Sequence, residues 1–191
     1  MLKNKYQDWQ PYIGKIFELT KVQTLLEFGL GGGTEYFLNK CKHVTSIEIG
    51  VSKRHKQWYE KCKEEYKSYT NWEAIYIEGS TRFIDADRLA HERIHGYSEH
   101  MPELRELIQS LDRQDMIFVD AGIHNRGDII NLLFELDKAD IIAAHDTSRF
   151  AKRCVDIYGY NRLVIPKNFA EFHFEGGTVG TTIWVKENKL L

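Results

Sequence analysis

The chain lacks most of what would tie it to a membrane, a nucleic acid or an oxidising compartment. No apolar run in its 191 residues approaches the roughly 18 that a bilayer span needs. Met1 to Gln10 carries no apolar segment of the kind a secretion signal requires, so a cytoplasmic protein is expected. There is no basic excess: 26 Lys and Arg face 28 Asp and Glu, a net charge of −2. Nucleic-acid binders ordinarily carry a basic surplus, so nucleic acid is not an expected partner. Only three cysteines occur, Cys41, Cys62 and Cys154. Their wide spacing and odd number exclude a disulfide framework and a CxxC metal site, and suit reduced thiols. Internal repeats, low-complexity tracts and linkers are absent too. What remains is 42% hydrophobic and 13% aromatic, ample for one core, and the length suits a single domain over 1–191.

The most informative stretch is Glu27-Phe28-Gly29-Leu30-Gly31-Gly32-Gly33-Thr34. It follows Val22 to Leu26, an apolar run with a β-branched start that reads as a buried parallel strand. Four glycines in five positions cannot continue a strand. They suit a tight turn with positive φ and close approach of backbone to a ligand. Thr34 is placed to begin and cap a following helix. Strand, glycine turn and helix start make a nucleotide-type cradle. The next strand, His43 to Ile49, carries Glu48, 19 residues after Gly29. An acidic residue about 20 positions on is the expected partner for ribose hydroxyls.

Further along, Tyr6 to Leu19 predicts an amphipathic helix through Trp9, Ile13, Ile16 and Phe17, packed on the sheet or serving as a lid. Thr34 to Cys41 predicts a short helix, and Ser52 caps another from Lys53 to about Tyr66. Trp72 to Ile77 is a third strand. Gly79 and Ser80 follow it, at the end where open α/β sheets bind ligands. Residues 81–114 are irregular until a helix over Met101 to Leu111, and are expected on the acceptor side. His91, His95 and His100 lie there, without the companion cysteines or carboxylates of a metal site. Asp115 to Val119 and Asp140 to Ala144 are strands, ending in Asp120 and in His145-Asp146. The helix Arg126 to Leu136 lies between them. Leu163 to Ile165 and Thr181 to Val185 supply two more strands, with a turn at Gly176-Gly177. Strands alternating with helices imply an α/β, doubly wound, mostly parallel sheet with helices on both faces. The closely spaced last strands imply an antiparallel C-terminal edge.

The pattern E-F-G-x-G-x-G-T resembles the first motif of class I S-adenosylmethionine-dependent methyltransferases, and the element order resembles their seven-stranded sheet. The resemblance implies that Glu27, Gly29, Gly31, Gly33, Thr34, Glu48, Gly79, Ser80 and Asp120 form the cofactor site. Val119-Asp120-Ala121-Gly122-Ile123-His124 resembles the V-D-G-x-H segment of metal-dependent O-methyltransferases acting on catechols, phenolic esters or sugars. His145-Asp146-Thr147 resembles their H-D-T segment. It implies that Asp120, His145 and Asp146 hold Mg²⁺ or Mn²⁺, and that Asp120, Asp146 and His124 carry the chemistry. His124 stands four residues after Asp120, where the pattern has three. A cation there would lower the pKa of an acceptor hydroxyl, and His124 would take its proton. A metal-free arrangement, in which Asp120 touches the cofactor and Asp146 caps the next segment, stays open.

The expected activity is methyl transfer from S-adenosylmethionine to a hydroxyl of a small molecule or carbohydrate. Two rivals stand beside it. An NAD(P)-dependent oxidoreductase would want G-x-G-x-x-G/A, but the third position falls on Thr34 or on the bulky Tyr36. A non-catalytic binding module would leave Glu48, Asp120 and Asp146 clustered without use, at a cost in repulsion. No oligomeric state is assigned.

Overall fold

The structure, a computed structural model, describes residues 8–50, 52–78, 101–121, 126–150, 158–175 and 179–190, with backbone only for 101–103. Helix α1 (Gln10–Leu19) precedes strand β1 (Thr24–Phe28), helix α2 (Thr34–Leu38), strand β2 (His43–Gly50), helix α3 (Lys53–Tyr66) and strand β3 (Trp72–Glu78). Helix α4 (Met101–Ser110), strand β4 (Gln114–Val119), helix α5 (Arg126–Leu136) and strand β5 (Ala139–His145) follow. Strands β6 (Phe169–Phe174) and β7 (Thr181–Lys186) close the chain, with short 3₁₀ turns at Tyr160–Arg162 and Glu187–Lys189.

The seven strands form one sheet in the order β3-β2-β1-β4-β5-β7-β6. The first five are parallel, and β7 pairs antiparallel with both β5 and β6. The central strands are buried on both faces, so their sequences are near-continuous apolar runs. Alternation along them splits the core in two. Leu26, Phe28, Ile117 and Val119 meet Leu104 and Ile108 of α4 and Ile129, Ile130 and Leu133 of α5. On the other face Leu25, Met116 and Phe118 meet Trp9, Ile13, Phe37, Tyr59, Cys62 and Tyr66 from the segment of α1 to α3.

Three local expectations are corrected. Leu163 to Ile165 is not a strand. The Val164 N–H donates to Asn131 Oδ1, and Asn131 Nδ2 donates to the Arg162 carbonyl, so α5 takes the hydrogen bonds a neighbouring strand would need. Pro166 follows, and the strand begins only at Phe169. The Thr34 hydroxyl does not cap α2; it turns back to accept the Gly31 N–H at 3.1 Å. Of the four turn glycines only Gly29 has positive φ, at 103°. The Ser52 cap of α3 forms as expected, accepting the His55 N–H. Within the described part of 81–114, α4 turns Leu104 and Ile108 into the core.

Candidate functional site

The glycine turn is fixed from below and from both sides. Gly29 closes the end of β1, where its N–H donates to the Ile47 carbonyl and the Asp120 N–H donates to the Phe28 carbonyl. Leu30 N–H donates to the Glu48 carboxylate at 2.9 Å, and the Leu30 carbonyl accepts from the Trp58 indole at 2.7 Å. The Gly31 carbonyl accepts from the Tyr66 hydroxyl at 2.8 Å. The glycines answer different needs. A Cβ on Gly29 would lie 2.4 Å from the Asp120 carbonyl oxygen, and one on Gly33 would lie 2.9 Å from the Trp9 ring. At Gly31 the nearest atom would be 3.9 Å away, so the space beside it is open.

Glu27 and Glu48 play different parts. Glu27 is 1% exposed and accepts from Ser46, which in turn accepts from the Trp72 indole. Burial pushes the Glu27 pKa up to about 8, against the Ser46 and Thr34 hydrogen bonds. It is an anchor beneath the turn, with Thr34, also buried, bonded between it and Gly31. Glu48, 5% exposed, ends β2 beside Leu30. Burial lifts its pKa to about 7, opposed by the Leu30 hydrogen bond and helped by the Asp120 charge.

At the ends of β4 and β5 a second cluster forms. Asp120, His145 and Asp146 bring donor atoms within 4.8 Å of one another. Asp146 is held in the left-handed region at φ 58°, a conformation costly for most residues and easier for Asp. Between the carboxylates stands Arg126, the first residue of α5. Its Nη1 lies 3.2 Å from Asp120 Oδ1 and 3.0 Å from Asp146 Oδ2, and donates to the His145 carbonyl at 2.9 Å. Its Nε donates to the Ala121 carbonyl at 2.7 Å, and the Tyr158 ring lies 4.1 Å from the guanidinium carbon. Burial opposes the charge on Arg126, but Tyr160 and the two aspartates restore it. Burial would also lower the His145 pKa. The hydrogen bond to Asp120, with Asp146 and Asp8 behind it, outweighs burial and raises it. Burial likewise works to raise the Asp120 pKa, and His145 and Arg126 bring it below the usual carboxylate value.

The donor set does not fit a divalent ion held between the two aspartates. Arg126 already stands there. Two unit charges about 4 Å apart interact by about 4 kcal/mol at an effective dielectric of about 20, and the repulsion doubles for a dication. The His145 ring is engaged on both sides, with Nε2 2.8 Å from Asp8 and Nδ1 3.4 Å from Asp120. With Nε2 turned to Asp8, only Nδ1 could offer a lone pair, and it faces the Asp120 carboxylate. The expectation of Mg²⁺ or Mn²⁺ on Asp120, His145 and Asp146 thus meets three residues correctly gathered but differently occupied.

Arg126, Asp8, Tyr158 and Tyr160 are absent from the residues expected from sequence. Arg126 did leave a signal: a cation opening a helix runs against the helix dipole. Gly79, Ser80, His124, His91, His95 and His100 lie outside the described residues. No helix among the described residues is long and apolar enough to cross a membrane.

Neither a family model nor a curated protein matches the chain. Solved structures do. A putative caffeoyl-CoA O-methyltransferase from Staphylococcus aureus aligns with TM-score 0.62 at 16% identity, over 97% of this chain and 85% of its own. An O-methyltransferase from Bacillus cereus, in complex with SAH, aligns at 0.61 and 16%, over 97% and 82%. The O-methyltransferase TomG from Streptomyces achromogenes, in complex with SAM, aligns at 0.57 and 13%, over 97% and 80%. At such identities the likeness is one of fold, and the chain has the doubly wound, seven-stranded methyltransferase fold that these O-methyltransferases share.

Proposed function

We propose that this chain is an S-adenosylmethionine-dependent O-methyltransferase whose acceptor is a hydroxyl of a small molecule, sugars included. One observation carries the reading: the Glu48 carboxylate and the open face of Gly31 are tied into one turn through Leu30. In this reading the turn takes the methionine part of the cofactor and Glu48 takes the ribose hydroxyls. Asp120, on the adjoining strand end, contributes to the same side, and Gly79 and Ser80 are the further cofactor-binding residues of this reading. The similar structures described as complexes with SAH and SAM support the choice of cofactor.

The chemistry asks little covalent work of the protein. The acceptor oxygen attacks the sulfonium methyl group, the carbon–oxygen bond forms as the carbon–sulfur bond breaks, and sulfur leaves with the bonding pair as a neutral thioether. The hydroxyl proton goes to a base, for which His124 is the proposed group. His145 is unsuited to that role, because its ring faces carboxylates on both sides. Holding the reactants in line is the main source of rate. Asp120, Asp146 and Arg126 form the rigid rim on which that alignment depends.

Calorimetric titration with S-adenosylmethionine, S-adenosylhomocysteine and NAD⁺ tests the reading. Saturable binding of the first two is expected, with none of NAD⁺. Binding of NAD⁺ alone would replace the reading with a nicotinamide-dependent one.

A further inference from the structure

We propose that Arg126 is the built-in cation of this site: its guanidinium holds Asp120 and Asp146 in place of a divalent metal ion, so the reaction needs none. A bound metal could grip two neighbouring oxygens of an acceptor, as on a vicinal diol. Arg126 is 3% exposed, and its Nε and Nη1 are engaged by protein oxygens, so it offers no such grip. No chelating pair of hydroxyls is therefore required of the acceptor. The consequence for the acceptor rests on the proposed methyl transfer, but the occupancy of the site does not.

Three features place the guanidinium by construction. First, its partners surround it: the two aspartates, the Ala121 and His145 carbonyls, and the Tyr158 ring. Second, the start of α5 is locked against the segment that carries Tyr158. Gly127 N–H donates to the Tyr158 carbonyl at 2.8 Å, and a Cβ on Gly127 would lie 2.2 Å from the Gly159 carbonyl oxygen. Third, an arginine at the positive end of a helix is an unfavourable choice unless carboxylates meet it. Here two do. Arg126 is a positioning residue: it fixes the aspartates and does not reach an acceptor.

The test is metal binding, read apart from methyl transfer. Wild-type protein, with and without S-adenosylhomocysteine, is titrated with Mn²⁺ and free ion is followed by electron paramagnetic resonance. No saturable binding is expected, and turnover should be the same in excess chelator. Arg126→Met, checked for folding by circular dichroism, leaves two carboxylates facing each other and should gain Mn²⁺ binding by about tenfold or more, since one unpaired buried charge is already costly. The double variant with Asp146→Asn should lose that gain. Saturable Mn²⁺ binding by wild type that Asp146→Asn abolishes overturns the proposal, whether or not the arginine variant folds. A folded Arg126→Met that ignores Mn²⁺ also overturns it. Failure to bind S-adenosylmethionine would instead sink the proposed activity and leave this result standing.

Discussion

Gly29 and Asp120 meet backbone to backbone: a side chain on the glycine would start 2.4 Å from the carbonyl oxygen of the aspartate. The contact joins the end of β1 to the end of β4, so the glycine turn and the acidic rim are one rigid piece. With φ at 103°, Gly29 also has a backbone that L-residues rarely adopt. Gly29→Ala is expected to lower stability by about 1–3 kcal/mol from strain alone. Gly31→Ala, with 3.9 Å of clearance, should leave the melting temperature near wild type and act only on cofactor affinity. Differential scanning fluorimetry beside calorimetry separates the two. Equal melting temperatures for both variants would contradict the geometry.

Stability should fall as pH rises from about 5 to about 8. Folding raises the pKa of Glu27 to about 8 and of Glu48 to about 7, from 4.5, chiefly through burial. A carboxyl raised in this way binds more protons folded than unfolded. Its contribution is fully present below pH 4.5 and is lost as pH passes through the folded value. The raised pKa of His145 acts in the same direction. Urea midpoints measured across this range should decline, and Glu27→Gln should flatten the decline and gain stability at pH 8. A midpoint that climbs toward pH 8 would rule this out.

Cofactor affinity should move the opposite way with pH. Ribose hydroxyls donate, and an ionised carboxylate is the stronger acceptor. S-adenosylmethionine should therefore bind more tightly as pH rises through about 7, the region to which burial lifts Glu48. Glu48→Gln should remove that dependence and weaken binding by about 1.5–3 kcal/mol at pH 8, the usual worth of a hydrogen bond to a charged group. Affinity that is flat with pH in wild type would take Glu48 out of the site.

Much of this site could be read from the sequence because its parts are local. Strand, glycine turn and acidic strand end follow one another within the stretch from Thr24 to Gly50, and each leaves its own pattern. Asp120 and Asp146 were legible as strand ends, and parallel order put those ends side by side. Arg126 was read only as a helix start, since its importance comes from β4, β5 and Tyr158 converging on it. Asp8 was hidden for the same reason: its partner, His145, lies 137 residues away. Leu163 to Ile165 misled because three apolar residues look alike in a strand and under a helix. The deciding fact was the side chain of Asn131.

The N-terminal helix is expected to be both a wall of the core and a support for the glycine turn. Trp9 is 1% exposed, stacks on Phe37 at 5.2 Å and leans on Phe118 at 4.9 Å. Its ring also fills the space a side chain on Gly33 would claim, and the adjoining Asp8 reaches His145 at 2.8 Å. Trp9→Ala should cost about 3–5 kcal/mol, the range for emptying a large aromatic site. Trp9→Phe should recover much of that while leaving a gap beside Gly33. If the helix supports the turn, the phenylalanine variant will fold yet bind S-adenosylmethionine less tightly than wild type. Asp8→Asn tests the other end: it removes one of the charges that raise the His145 pKa. A His145 titration followed by NMR should then shift to lower pH, with little change in the melting temperature above that range. Wild-type affinity in Trp9→Phe together with an unmoved His145 titration in Asp8→Asn would reduce the helix to packing alone.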